Sequence, residues 1–393
     1  MMTKNFDVLI GGDGVVGRTL ALQLAQARLR VALVARAQHS PAVPDTPGTP
    51  DTPDAPDVRA YALNVASQRQ LLALRAWPDA AFATPVQTMQ VWGDDGGHLA
   101  FDAADLKAEP AANALAWIVD VQALETRLAE AVRFQPQIEC IDEATLASQP
   151  IKAPLKVICE GQYSDTRAAL PVHRTVKPYP QRAVAARLSS SLPHGGAARQ
   201  WFANGEVLAL LPLGGTTGQA VALVWSVATD RAAELQALTP EAFCTALQAA
   251  CGDIVGTLRL TSERASWPLS LTTATNWVGP GWALAGDAAH TIHPMAGQGL
   301  NLGLADAACL ADVLASREYW RSLGDERLLR RYERARKADV AAMGGVTDGL
   351  FALFAPQPSP LDAPLQALRN WGMKGFALSG PLKHWVTRRA AGL

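Results

Sequence analysis

Three short segments of this 393-residue chain place glycines and acids at spacings that suit an anionic cofactor. The first is Gly12-Asp13-Gly14-Val15-Val16-Gly17, a G-x-G-x-x-G that follows a strand-like run and opens a helix-like one. Its first glycine permits a tight turn, its second lets a pyrophosphate approach the backbone, and its third lets helix and strand touch. The second segment is Val157-Ile158-Cys159-Glu160-Gly161-Gln162-Tyr163-Ser164-Asp165-Thr166-Arg167, which taken alone reads as a strand ending in an ordinary turn. The third runs from Gly286-Asp287 through His290, His293, Pro294 and Gly297-Gln298-Gly299 to Leu300-Asn301-Leu302-Gly303. There an acid ends an apolar run, a glycine-rich turn follows, and a helix opens with unpaired N–H groups facing the turn.

His290 and His293, three apart beside Asp287, invite a metal reading. A catalytic metal takes at least three protein ligands in suitable geometry, whereas Pro294 and the glycines after it suit a cofactor loop. No metal is assigned, and each histidine is expected to be a hydrogen-bonded structural residue rather than a general base. No nucleophile elbow or P-loop is present, so hydrolase and kinase chemistry find no support. One feature departs from the dinucleotide fingerprint. The second strand should end in an acid that accepts hydrogen bonds from the adenosine ribose, but Ala35-Arg36 stands there. Losing a charge-assisted bond costs roughly 1.5–3 kcal/mol unless another group replaces it.

The elements that must position these residues begin with a βαβ unit. Phe6 to Ile10 reads as a strand, Gly11 to Gly17 as a turn, Arg18 to Arg28 as a helix and Arg30 to Ala35 as the next strand. Between His39 and Asp57 a Pro-Asp-Thr repeat excludes helix and central strand and predicts a solvated, extended surface insertion. Arg59 to Leu74 and Val121 to Val132 read as helices, the latter with Leu124, Leu128 and Val132 on one face. Strand-like runs dominate from Ala183 to Val227, which suggests a mostly antiparallel sheet. After Gly299 the pattern is helical, broken around Pro356 to Pro364.

Composition sets outer bounds. A hydrophobic content of 49%, a charged content of 18% and a formal charge of −1 describe a globular chain with no basic surface for nucleic acid. The five cysteines are odd in number and scattered, without a C-x-x-C, so neither a disulfide framework nor a zinc site is expected. No apolar run approaches the roughly 18 residues that span a bilayer, and the first strand, interrupted by Asp7, does not read as a signal peptide. A cytoplasmic location follows as the default.

Together the three motifs resemble those of the class A flavoprotein monooxygenases, the group that includes p-hydroxybenzoate hydroxylase. The likeness is nearest to the ubiquinone-biosynthesis hydroxylases. Asp57-Val58-Arg59-Ala60-Tyr61-Ala62-Leu63 is similar to their D-x-R-A-x-A-L, Gly286 to Gly303 matches nearly letter for letter, and Arg331 to Arg336 and Leu368 to Gly372 also match. Glu160-Gly161, with Ser164 and Arg167, would be their D-G motif with glutamate for aspartate.

The resemblance implies an α/β fold: a discontinuous Rossmann-like FAD-binding domain, a mostly antiparallel β-sheet substrate domain and C-terminal helices. The expected boundaries are 1–75, 101–175 and 271–345 for the FAD domain, 76–100 and 176–270 for the substrate domain, and 346–393 for the C-terminal helices. It implies FAD contacts at Gly12, Gly14, Gly17, Arg36, Arg59, Gln122, Gly286, Asp287, Gly297, Gly299, Leu300 and Asn301. Pro294, Gly297 and Gln298 would face the flavin's reducible end through backbone groups, with no side-chain acid or base assigned.

The activity implied is hydroxylation of an aromatic ring: NAD(P)H, visiting without a domain of its own, reduces FAD, and one atom of O2 enters a polyprenylated phenol. Leu211, Leu213 and Trp225, with Gln181 and Trp201, are sought as the substrate lining, although the two tryptophans also read as plain core aromatics. Peripheral contact with a membrane or with other quinone-biosynthesis enzymes is left open. Two rivals stand beside this reading. One is FAD-dependent epoxidation or reduction of an isoprenoid. The other is an FAD-poor structural subunit, which Ala35 motivates.

Overall fold

A computed structural model describes residues 4–35, 58–93, 97–106, 114–292 and 298–354, with the side chains of 346–354 excepted. Arg36, the insertion from His39 to Asp57, His293, Pro294, Gly297 and the segment from 355 onward, including Leu368 to Gly372, lie outside the described residues.

The N-terminal βαβ unit forms as the glycine spacing requires. Val8–Gly11 and Val31–Ala35 are buried, parallel neighbours, joined by the fingerprint helix Val15–Gln26. That helix begins at Val15 rather than Arg18, because Gly14, in extended conformation, already serves as its N-cap. Leu155–Ile158 and Trp282–Leu284 extend the same sheet in parallel on one side and Ile138–Asp142 on the other, with Val278–Gly279 antiparallel at the edge. Strands from sequence-distant segments thus lie side by side, and their C-terminal ends line up. Cys159 N–H donates to Gly11 carbonyl at 2.7 Å, Ala285 N–H to Ile158 carbonyl at 3.0 Å, and Gly12 N–H to Val34 carbonyl at 3.0 Å. In an open parallel sheet this edge is where ligands bind.

The second body is a nine-stranded sheet among the described residues. It is antiparallel except where Thr88–Trp92 runs parallel to Ala197–Ala203. Its longest strand, Arg174–Ser190, pairs with Ala220–Ala228 and Ala265–Ala274. One face is covered by the helices Thr229–Ala237 and Pro240–Cys251, with Val184, Leu208, Leu223, Trp225 and Phe243 in the shared core. The other face carries Ala198, Leu211, Leu213 and Ala222 against Val86 and Ile118. The last two belong to a small three-stranded sheet of Ala60–Leu63, Ala83–Val86 and Ala116–Asp120.

Arg59 to Leu74 is therefore not a single helix. Ala60–Leu63 pairs antiparallel with Ala116–Asp120, and the helix Val65–Ala73 starts only where the Asn64 side chain accepts the Ser67 N–H at 2.9 Å. An Asn at an N-cap satisfies a donor that the first helical turn leaves free. The helix Val121–Arg133 is formed as its apolar stripe requires, capped by Asp120, with Leu124, Leu128 and Val132 buried. After Gly299 come the loop helix Gly299–Ala315 and the long helix Glu326–Phe354.

Candidate active site

The three motifs converge at the C-terminal edge of the parallel sheet. A Cβ on Gly11 would stand 2.6 Å from the Glu160 carboxylate, and a Cβ on Gly286 would stand 3.2 Å from Val16. Gly12 has φ +98°, which a glycine adopts without strain, and a side chain on Gly17 would collide with the Gly12 carbonyl. Gly14 differs: a Cβ there meets nothing within 4 Å, and the same holds at Gly161 and Gly299. The edge is thus closed where chain meets chain and open where a pyrophosphate would approach. The residues fit the cofactor that the motifs imply.

Glu160 does not reach outward. It accepts hydrogen bonds from the Ser164 hydroxyl at 2.6 Å and the Thr166 hydroxyl at 2.7 Å, which shapes the turn after the strand. Ser164 in turn caps the short helix by accepting the Arg167 N–H. The buried Arg167 guanidinium donates to the Gln162 carbonyl at 2.7 Å and to the Ala288 carbonyl at 3.0 Å. The second motif is therefore bolted to the third.

Beneath the third motif lies a buried polar cluster. Asp306, on the loop helix and fully inaccessible, accepts the Gly286 N–H at 2.9 Å, His290 Nε2–H at 2.7 Å and Arg336 Nε–H at 2.8 Å. Burial by itself would raise the Asp306 pKa, but His290 and Arg336 outweigh it and hold the carboxyl below its usual range. An ionised carboxylate only accepts, so His290 Nε2 carries the proton. The other face of the imidazole is occupied as well: Trp277 stacks on it at 4.8 Å and 25°. His290 is thus a hydrogen-bonded structural residue, and among the described residues no His/Cys/Asp/Glu group could hold a metal.

Asp287, next to Gly286, has the opposite surroundings. Solvent reaches its side chain, yet the protein around it raises its pKa by desolvation, which His290 and Arg59 only partly oppose. A side chain both accessible and desolvated lies in a cleft. Arg59 and Gln122 are exposed near the same edge. Gln122 occupies the first turn of a helix bound to the fingerprint helix, Arg18 donating to the Glu125 carbonyl at 3.1 Å. Asn301 serves the chain itself. Its Oδ1 accepts the Asn64 N–H at 2.9 Å and the Ser67 hydroxyl at 2.7 Å, and its Nδ2 donates to the Ala62 carbonyl at 2.8 Å. It ties the segment after Arg59 to the loop helix. Gln298 immediately precedes that helix, and Leu300 packs on the core.

With this geometry in place, the profile of the FAD binding domain family matches residues 119–344. The 3-demethoxyubiquinol 3-hydroxylase of Escherichia coli is 30% identical over 412 residues, covering 100% of both chains. The chain belongs to the ubiquinone-biosynthesis hydroxylases, a family of FAD-dependent monooxygenases. Ubiquinone hydroxylase UbiL of Rhodospirillum rubrum is also 30% identical, over 99% of this chain and 90% of its own. The crystal structure of PqsL, a probable FAD-dependent monooxygenase from Pseudomonas aeruginosa, superposes with a TM-score of 0.68 at 21% identity, covering 95% of this chain and 100% of that one.

On the substrate side of this monooxygenase the sequence-based residues separate. Leu213 lines a cavity of about 240 Å³, together with Phe82, Ile118, Asp120, Arg187 and Ala220. Leu211 shares the apolar cluster beside it. Arg187 is paired with Asp120 at 2.6 Å and also donates to the Arg59 carbonyl at 3.4 Å, which ties the cavity lining to the residue whose charge acts on Asp287. Trp225 is a correction. It points to the helix-covered face, 2% exposed, against Phe243, with its indole N–H given to Glu206. Trp201 pairs across the sheet with Leu208 on that same face and stacks on Trp92 at 4.8 Å, and Gln181 donates to the Gly205 carbonyl at 2.6 Å. These three build the sheet and do not line the cavity. Sequence reasoning missed Asp306 and Arg336, although one signal was available: Asp306 is an acid flanked by Leu304, Ala305, Ala307 and Ala308 on a mostly apolar helix.

Proposed function

We propose that this monooxygenase hydroxylates the aromatic ring of a polyprenylated phenol, with NAD(P)H as reductant and O2 as oxygen source. The observation that carries the reading is the end-to-end 30% identity with a relative named as a 3-hydroxylase of 3-demethoxyubiquinol. Bound, reduced FAD supplies the oxygen activation, and the protein orients the ring and excludes water. Gly12, Gly14 and Gly17 would receive the pyrophosphate, Arg59, Gln122 and Asp287 would face the cofactor along its length, and Pro294, Gly297, Gln298 and Gly299 would border the flavin.

The cavity at Leu213 suits this division of labour. At about 240 Å³ it is smaller than pockets for drug-sized ligands, roughly 300–1,000 Å³. It would take a single ring and leave the prenyl chain outside, where peripheral contact with a membrane or with other quinone-biosynthesis enzymes would accommodate the tail. No helix among the described residues is long and apolar enough to cross a membrane. The test is NAD(P)H oxidation and O2 uptake by the holoenzyme with a short-chain prenylphenol, followed by mass spectrometry of the product. A product one oxygen heavier on the ring supports the proposal. Oxygen on the tail identifies an epoxidase instead, and a saturated tail a reductase.

A further inference from the structure

The adenosine end of the cofactor site lacks its customary carboxylate, since Ala35 closes the second strand. We propose that Asp13, inside the glycine turn, supplies that carboxylate and accepts the adenosine ribose hydroxyls of FAD. Three observations carry the assignment. The turn lies against the end of the strand in question: Gly12 N–H donates to the Val34 carbonyl at 3.0 Å, which sets Asp13 one residue from the contact with the segment that ends in Ala35. The Asp13 side chain is held rather than loose. Its Oδ2 pairs with Arg18 Nη2 at 3.0 Å, with 33% and 20% of the two side chains exposed, and Arg18 is anchored in turn on the Glu125 carbonyl. Asp13 Oδ1 accepts no hydrogen bond among the described residues, and a third of the side chain is exposed, which leaves an acceptor for a ligand.

The third observation is consistent with the side of the sheet on which Ala35 stands. Asp13 and Arg18 both act electrostatically on the thiol of Cys140. Cys140 is the register partner of Leu33. Leu33 and Ala35 project to one face, because side chains alternate along a strand. The Asp13–Arg18 pair therefore lies within electrostatic reach of the residues on the strand face from which a carboxylate at 35 would project. Arg18 also resolves an electrostatic difficulty. A bare carboxylate in a pyrophosphate-binding turn repels the ligand, and a guanidinium at 3.0 Å offsets that charge while leaving one oxygen free to accept.

The proposal rests on FAD as the cofactor and is independent of the substrate assigned above. Its test needs no turnover. Full-length apoprotein is titrated with FAD and, separately, with FMN, which lacks the adenosine, by quenching of flavin fluorescence. Asp13→Asn is expected to weaken FAD binding about tenfold, equivalent to about 1.4 kcal/mol, and to leave FMN binding unchanged. Ala35→Glu added to Asp13→Asn is expected to restore FAD affinity, because the strand then provides what the turn has lost. Ala35→Glu alone is expected not to tighten FAD binding, because Asp13 already supplies an acceptor, and tightening there overturns the assignment even where Asp13→Asn folds poorly. Unchanged FAD affinity in Asp13→Asn, a parallel loss for FAD and FMN, or tightening by Ala35→Glu alone would each overturn the assignment.

Discussion

Replacing Asp306 by asparagine removes one charge from the middle of the buried cluster while keeping its shape. The carboxylate is 0% exposed and serves Gly286, His290 and Arg336. Among the described residues Arg336 would keep Asp339, whose side chain is 49% exposed, and a weak contact to the Leu302 carbonyl. Removing one partner of a buried ion pair costs roughly 3–5 kcal/mol. An asparagine amide would also turn a donor toward one of three existing donors, for about 1–3 kcal/mol more. The two costs share partners and do not add in full, so about 3–5 kcal/mol is expected, against a total stability of about 5–15 kcal/mol.

At about 2–4 °C per kcal/mol, the melting temperature of Asp306→Asn falls by on the order of 10 °C. Thermal unfolding followed by tryptophan fluorescence measures this, with Trp277 stacked on His290 as a local reporter. FAD affinity should fall with it, because the turn Gly286-Asp287 loses its anchor. The pH dependence has a definite sign. The folded-state pKa of Asp306 is depressed, so its stabilisation is fully present above the unfolded value of about 3.9 and is lost as pH falls through the folded value. Wild type and variant should differ by the full amount at neutral pH and converge only in acid. A difference below about 1 kcal/mol, comparable to an ordinary surface change, or a gap that widens on acidification, would refute the reasoning.

Other substitutions separate the parts of the site. Asp287→Asn should raise the melting temperature of the apoprotein at neutral pH, because a carboxyl whose pKa is raised by desolvation disfavours the folded state above its unfolded pKa and is relieved as pH falls through the folded one. The same change should weaken FAD binding, and a lower apoprotein melting temperature would count against the cleft assignment. Gly14→Ala should leave the melting temperature near wild type and reduce FAD affinity, whereas Gly17→Ala should fail in folding, since only the latter meets backbone. Leu213→Trp should raise KM for a phenolic substrate without changing the Kd for FAD, because it fills the cavity and touches nothing at the sheet edge. Trp225→Phe should cost stability and leave KM unchanged, which calorimetry and steady-state kinetics read separately.

The cofactor edge was legible in the sequence because each motif is local. Spacing within Gly12 to Gly17 or Gly286 to Gly303 dictates strand, turn and helix without reference to anything distant. The substrate face was legible only by halves. Alternation shows that Leu211 and Leu213 share one face and that Trp225 belongs to a buried strand, but it does not reveal which face the helices Thr229–Ala237 and Pro240–Cys251 will cover. Segment 59–74 misled for a related reason. Its apolar residues fit a helical period, and only pairing with Ala116–Asp120 makes Ala60–Leu63 a strand. Asp306 depends on partners 16, 20 and 30 residues away, His290, Gly286 and Arg336, and an acid in a helix does not name them.

The arrangement of the parallel sheet has a consequence for biogenesis. Its central strands come from Val8–Gly11, Leu155–Ile158 and Trp282–Leu284. A ribosome adding about 5–20 residues per second finishes the last of these on the order of ten seconds or more after the first. Through that interval Ile10 and Leu20, both 0% exposed in the finished fold, have no complete core to enter. Half of the cofactor edge exists and the other half has not been made. Flavin loading therefore waits until the last of these strands has been made, and the concentration of free FAD then acts by mass action on how much newly made protein stays folded.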